Sequence, residues 1–220
     1  MLSYANIHAL NLAYDFPWFR RWLNASEATI CDGHGLRLAG YLVGAQIEHR
    51  NTPPDFVELV CQVASKEGIR LYMLGGRPGV AEKAATKMQE RYPDLKISFH
   101  HGYFDKCGDS AETKAVIDQV NAFRTDILFV GFGMPAQEKW IAENRAHIDA
   151  AMFMPVGAMF DYLSGARRRA PRWMTDHGLE WLGRLSIEPG RLWRRYILGI
   201  PLFFWRLALH HFLKLPLPEE

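Results

Sequence analysis

Several patterns are missing from this chain, and each absence removes a class of function. No D-x-D triplet occurs, so the usual acidic pair for holding a divalent metal is absent. No G-x-S-x-G elbow is present for a serine hydrolase, and neither G-x-G-x-x-G nor the P-loop pattern is found. Cysteines number only three, Cys31, Cys61 and Cys107, with no C-x-x-C pair, which predicts buried or free thiols in a reducing cytoplasm. The chain does not open with positive charge followed by an apolar stretch, so no signal peptide is expected. Low-complexity tracts and regular repeats are also missing, which argues against a solenoid. The uncharged run Tyr196 to Trp205 falls short of the ~20 apolar residues a membrane-spanning helix needs.

What remains is the composition of a folded enzyme-sized chain. Its 220 residues, 49% hydrophobic and 23% charged, suit one α/β domain with an appendage, or at most two small domains. The formal charge of +2 conceals an asymmetry. Residues 166–220 hold ten Lys/Arg against five Asp/Glu, while the rest hold sixteen against nineteen. Basic and apolar character therefore gather in the same terminal segment. That combination points to an anionic membrane surface rather than to nucleic acid.

Short apolar runs that stop at glycine and lead into helix-like stretches recur along the chain. "RLYMLGGRPGVAEKAATKMQERY" predicts a strand over Leu71 to Leu74, a turn at Gly75 and Gly76, and a helix from about Gly79 to Arg91. "DILFVGFGMPAQEKWIAENR" repeats the plan, with a strand over Ile127 to Val130, glycines at 131 and 133, and Pro135 in the first helical turn. "AAMFMPVGAMFDYLSG" and "EATICDGHGLRLAGYLV" give two further units, the latter with a strand ending at Cys31, and "LKISFHHGYF" gives another strand. Alternation of this kind predicts a Rossmann-like, mainly parallel sheet with helices on both faces and ligands outside the strands' carboxyl ends.

From about Pro171 the pattern turns all-helical. Arg184, Arg191, Arg194 and Arg195 fall broadly on one side if the helix runs on through Pro189 and Gly190. Beyond Pro201, Arg206, His210 and Lys214 follow a four-residue period. They leave an apolar face of Leu202, Phe203, Trp205, Leu209, Phe212 and Leu213, which fits an interfacial helix or one docked on the protein's own core. Self-association of that face, giving a homo-oligomer, is a further shelter for it.

Chemistry has a few candidate homes. Asp32 in "CDGHG" suits a general base facing a cleft, or simply an Asp-Gly turn. The turns at Gly75-Gly76 and Gly131 to Gly133 suit phosphate at a helix N-terminus, or merely tight connections. Gln137 suits an amide contact to a sugar or base, or a solvated helix position. The run "GARRRAPRW", which includes Arg169, offers forked phosphate donors or a solvated basic loop. His100 and His101 have no further ligand at metal spacing.

In order and at similar spacing, "ANIHALNLA", "CDGHGL", "LYMLGGRPGVAEKA", "YPDLKISFHHGYF", "DILFVGFGMPAQEKWI", "PVGAMFDYLSGARRRAP" and "GLEWLGRLSIEPGRLWRRY" resemble the WecG/TagA/CpsF family of bacterial glycosyltransferases. The match runs from about Asn6 to Tyr196. The resemblance implies inverting transfer of a sugar from a UDP-sugar to a sugar carried on undecaprenyl diphosphate, in cell-surface polysaccharide or teichoic acid synthesis. The sugar is of the N-acetylmannosamine type, its uronic acid or glucose. No metal, cofactor or nucleic-acid partner is implied. A Rossmann-like catalytic domain would occupy residues 1–170. A helical appendage over residues 171–220 would bind the membrane at the cytoplasmic face of the inner membrane and supply arginines to the site. The family's base falls on Asp32, and its appendage arginines fall on Arg184, Arg191 and Arg194. Substrate contacts fall on Asn6, Arg50 and Gln137. Tyr4 departs from the threonine common there, and the chain is expected to start short of an opening strand or hairpin. Two rivals are a non-catalytic nucleotide- or lipid-binding membrane adaptor, and a nicotinamide oxidoreductase. The oxidoreductase would need an acidic residue where the strand after "GGRPG" ends at "SFHH".

Overall fold

In the computed structural model, which describes residues 1–216, the glycine-stopped apolar runs become strands and the stretches after them become helices. The chain divides into two compact units. One comprises Met1–Ser3 with Pro53–Arg168, the other Tyr4–Thr52 with Arg169–Glu220.

The first unit contains α4 (Pro53–Glu67), β3 (Arg70–Gly75), α5 (Val80–Arg91), β4 (Lys96–His100), α6 (Ala111–Ala122), β5 (Ile127–Gly131), α7 (Ala136–Asn144), β6 (Met152–Pro155) and α8 (Met159–Ser164). Its four strands are parallel, in the order β4-β3-β5-β6, with Leu74 level with Val130 and Gly75 with Gly131. Residues of β3 alternate between faces, yet Leu71, Tyr72, Met73 and Leu74 are all buried, so both faces are covered. Leu71, Met73, Phe129 and Met154 join apolar residues of α4, α5 and α8 in one core cluster. Tyr72 meets the ring of Phe123 at the end of α6, on the opposite face. This is the expected architecture of a parallel sheet between helices.

The second unit begins with β1 (Leu2–Ala5), which starts in the first, followed by α1 (Ile7–Asp15), α2 (Pro17–Asn24), β2 (Ala28–Cys31) and α3 (His34–Leu42). It resumes with α9 (Arg172–Asp176), α10 (Glu180–Ile187), α11 (Pro189–Trp193) and α12 (Gly199–Leu207). Two π-helical turns, Arg194–Leu198 and Ala208–Phe212, carry the last run onward. β1 stands directly before Asn6. β2 pairs with β1 in a separate two-stranded sheet, and does not join the parallel sheet as its glycine-stopped pattern suggests.

Two expectations about the C-terminal run are corrected here. Tyr4–Thr52 also groups with the C-terminal segment rather than with the sheet. Side-chain chemistry explains why. Arg206 donates to the Asn11 backbone oxygen and to Asn11 Oδ1 (3.3 and 3.1 Å), pairs with Asp15 and lies over the Tyr14 ring at 4.0 Å. Asn11 Nδ2 donates to the Gly199 carbonyl at 2.7 Å. The helix also breaks at Glu188 (φ −133°, ψ 60°), because the residue before a proline is pushed out of helical backbone. Arg184 and Arg191 thus sit on different helices. Finally, Lys214 lies outside any helix, and Arg206 and His210 face α1, His210 through Tyr14 Oη at 3.1 Å. The polar stripe is the inward one. Of the expected apolar face, Phe203 is buried, while Leu202, Trp205, Phe212 and Leu213 are exposed, Trp205 by 64%. Residues 217–220 of the expected appendage lie outside the described residues.

The Arg206 anchor makes a stability prediction. Arg206→Ala should lower unfolding free energy by about 1–3 kcal/mol and expose the α12 region to protease, read by urea titration and limited proteolysis. An unchanged midpoint and digestion pattern would deny the anchor.

Candidate active site

Asn6 is the residue from which the site is built. Its backbone (φ −141°, ψ 176°) caps α1, and its Oδ1 accepts from the Ala9 amide at 3.0 Å. With the oxygen so used, the other end of the amide must present N–H groups. Nδ2 donates to Asp32 Oδ2 at 3.1 Å. Asp32 follows β2, and its own amide donates to the Ala5 carbonyl at 2.7 Å. The neighbouring Cys31 carbonyl accepts from the Asn51 amide at 3.0 Å. The peptide unit that leads into the carboxylate is thereby held at both its N–H and its carbonyl.

Asp32 opens into a cavity of about 400 Å³ whose lining lies entirely in the second unit. Asn6, Arg50, Arg184 and Arg195 line it with Asp32, and so do His8, His34 and Glu180. Trp181, Tyr196, Ile200 and Phe204 give it an apolar wall. Glu180 holds Arg50, with Nη1 to Oε2 at 3.0 Å and the Arg50 side chain 12% exposed. The same carboxylate lies 3.7 Å from Arg169 Nη2, which donates to Thr52 Oγ1 at 3.1 Å. Arg169 is therefore part of a tied cluster, not a solvated loop.

The C-terminal arginines separate. Arg184 and Arg195 reach the cavity, whereas Arg191 and Arg194 do not line it. Arg191 pairs with Glu188 one turn back, and Arg194 lies over the Trp193 ring at 5.3 Å. Arg195 was visible in the sequence as one of four spaced arginines, but the family motif passes over it.

Electrostatics follow from burial. The His8 imidazole is pushed down to about 4, first by burial and then by the Arg195 charge, so it is neutral at physiological pH. His34 is lowered by burial, and further by Arg50 and Arg37. Tyr4, in the position where threonine is common, is buried. Burial and then the charge of Asp32 hold its phenol proton well above the ordinary tyrosine range.

The remaining expected site residues belong to the first unit. Gly75 and Gly131 meet where β3 and β5 end. A Cβ on Gly75 would stand 2.4 Å from the Gly131 oxygen, so packing alone requires glycine there. The Gly76 amide donates to that same oxygen at 3.2 Å, and the Gly133 amide to Gln137 Oε1 at 3.1 Å. These two N–H groups are engaged within the protein and are not presented to phosphate. Gln137 is only 4% exposed, which corrects its reading as a solvated residue. Its Oε1 also accepts from the Gly157 amide at 3.0 Å and its Nε2 donates to Glu138, so it ties two glycine turns together. Glu138, itself buried, gave no sign in the sequence beyond its place beside Gln137. Among the described residues no three His, Cys, Asp or Glu side chains gather as a metal site.

The model of the family described as "Glycosyl transferase WecG/TagA/CpsF family" matches residues 1–215. Curated relatives include an N-acetylglucosaminyldiphosphoundecaprenol N-acetyl-beta-D-mannosaminyltransferase of Staphylococcus aureus (strain NCTC 8325 / PS 47), 28% identical over 204 residues, which cover 93% of this chain and 78% of the relative. The same-named proteins of strains COL and MRSA252 match at the same identity and coverage.

The depressed His8 makes the second unit pH-sensitive. The unfolded chain protonates this imidazole near its ordinary value, about 6.5, while the folded chain resists to about 4. Between those values the unfolded state binds more protons, so stability is full above the ordinary value and falls as pH drops through the window. Thermal melts of the wild type should decline from pH 7 to 5, and His8→Gln should flatten that decline. An equal slope in both would remove His8 as its source.

Proposed function

The chain belongs to the WecG/TagA/CpsF family of glycosyl transferases, and from that premise we propose that it moves a sugar from a UDP-sugar to a sugar on undecaprenyl diphosphate, with inversion and without a metal. As a glycosyltransferase it is neither an oxidoreductase nor a passive adaptor. The names of its relatives support an N-acetylmannosamine-type sugar and an N-acetylglucosamine acceptor on the lipid diphosphate, in cell-envelope polymer synthesis.

The observation that carries this reading is the Asn6–Asp32 contact at the wall of the cavity. Inverting transfer is a single displacement and needs one base on the acceptor hydroxyl. A carboxylate that accepts from a fixed amide, beside a cavity, suits that role. The departing UDP gains negative charge, which guanidinium groups can stabilise without a metal. We assign Asp32 as base, Arg184 to that charge, and Arg50 and Asn6 to substrate positioning. Arg191 and Arg194 stand at the family's remaining arginine positions, and their part in transfer is a proposal from that correspondence. For the donor, the carboxyl edge of the parallel sheet, at Gly75, Gly76, Gly131 and Gly133, is the general place for nucleotides in such folds. Gln137 shapes that edge.

The lipid acceptor favours a peripheral membrane enzyme. No helix of the described residues is long and apolar enough to cross a membrane. Trp193, Ile197, Leu198, Leu202, Trp205, Phe212 and Leu213 are nevertheless exposed along the C-terminal helical run. A face of this kind is suited to the headgroup boundary of an anionic bilayer.

Transfer assays with a panel of UDP-sugars and a synthetic polyprenyl diphospho-N-acetylglucosamine acceptor test the reaction. One UDP-sugar should react with inverted anomeric configuration by NMR and at an unchanged rate in EDTA. Retention of configuration, or loss of activity restored only by magnesium or manganese, would overturn the mechanism. In vesicle sedimentation, Leu202→Asp with Trp205→Asp should lower partitioning onto anionic vesicles by roughly ten-fold or more. Equal partitioning would move the membrane contact elsewhere.

A further inference from the structure

Arg195 carries a charge that the reaction as described leaves unused. It stands in the π-helical turn Arg194–Leu198 and lines the cavity beside Asp32. π-Helical turns are rare and frequent at functional sites. The Arg195 Nε is buried and has no hydrogen-bond acceptor. Among the described residues its guanidinium forms no ion pair, and it lies over the ring of Tyr196 at 5.6 Å. Burial works against its charged form, as do Arg184 and Arg191, while Tyr196 and Asp32 favour it. Neither cavity carboxylate forms an ion pair with it among the described residues: Glu180 is paired with Arg50, and Asp32 accepts from Asn6. A guanidinium at a cavity wall with no carboxylate paired to it is a cation that an anionic ligand can neutralise.

The wall beyond Arg195 identifies the anion. Tyr196, Ile200 and Phe204 follow at four-residue spacing on the same helical run, and Trp181 comes from α10. A nucleotide diphosphate continues into ribose and a base, whose polar groups would find few partners on that wall. An isoprenyl diphosphate continues into hydrocarbon. We propose that Arg195 binds the diphosphate of the polyprenyl-linked acceptor, with Ile200 and Phe204 against the isoprene units nearest to it. The assignment rests on the proposed reaction for the identity of the lipid, and it gives the acceptor its own cation, separate from the one assigned to the departing UDP.

Farnesyl diphosphate is the probe, titrated calorimetrically into the full chain. The wild type should bind it, and Arg195→Ala should weaken binding about ten- to hundred-fold. Arg195→Lys should restore part of the loss. Phe204→Ala should weaken farnesyl diphosphate while leaving inorganic pyrophosphate unaffected, and UDP affinity should follow none of these changes. Should Arg195→Ala melt far below the wild type, the lysine variant and Phe204→Ala carry the test. The assignment is overturned if the wild type does not bind the probe, if Arg195→Ala binds it normally, or if UDP affinity falls in parallel. Arg195-dependent binding in a wild type that transfers no sugar would overturn the reaction and support this site.

Discussion

A single amide side chain sets the geometry on which the proposed chemistry relies. Asn6 spends its oxygen on the first turn of α1 and so turns its N–H groups toward Asp32. Reversing the amide would lose the helix cap and set oxygen against carboxylate. The cap and the candidate base are thus fixed by one rotamer. Capping residues are ordinarily local devices worth about 1 kcal/mol; here the same side chain also donates to the candidate base. β1 and the Asn51 amide hold the backbone beside it, so Asp32 has little freedom to turn away.

The unit that contains Asp32 is assembled from the two ends of the chain. Arg206 reaches Asn11 and Asp15 across more than 190 positions of sequence, and Glu180 reaches Arg50 across 130. The candidate base comes from the N-terminal part, and Arg184, Arg195 and the apolar wall come from the C-terminal part. Any change that loosens α12 from α1 therefore acts on the cavity as well as on stability. The same docking turns Arg206 and His210 inward and leaves Trp205 and its neighbours outward, which is how the helix offers an apolar face while remaining attached.

The sheet was readable because its signals are local. Leu71 to Leu74 and Ile127 to Val130 are short apolar runs closed by glycine, and the observed strands extend each by only a residue or so. Asp32, Asn6, Arg50 and Arg184, each within a quoted motif or named from the resemblance, line one cavity. Features set by distant partners were not readable. The β2 run looks like the others, yet it pairs with β1 in a separate two-stranded sheet. Gln137 reads as a sugar contact or a solvated position, but it is buried and accepts from the amide of Gly157, twenty positions on. The choice of Arg195 over Arg194 depends on a π turn, which departs from the 3.6-residue period assumed when helical faces are drawn.

Asp32 as the proton acceptor is the claim to which the rest is attached, and single-turnover transfer by Asp32→Asn measures it most directly, with UDP affinity followed alongside. The account predicts a rate about 10²- to 10⁴-fold below the wild type with UDP binding retained. A variant that transfers sugar at the wild-type rate would contradict it.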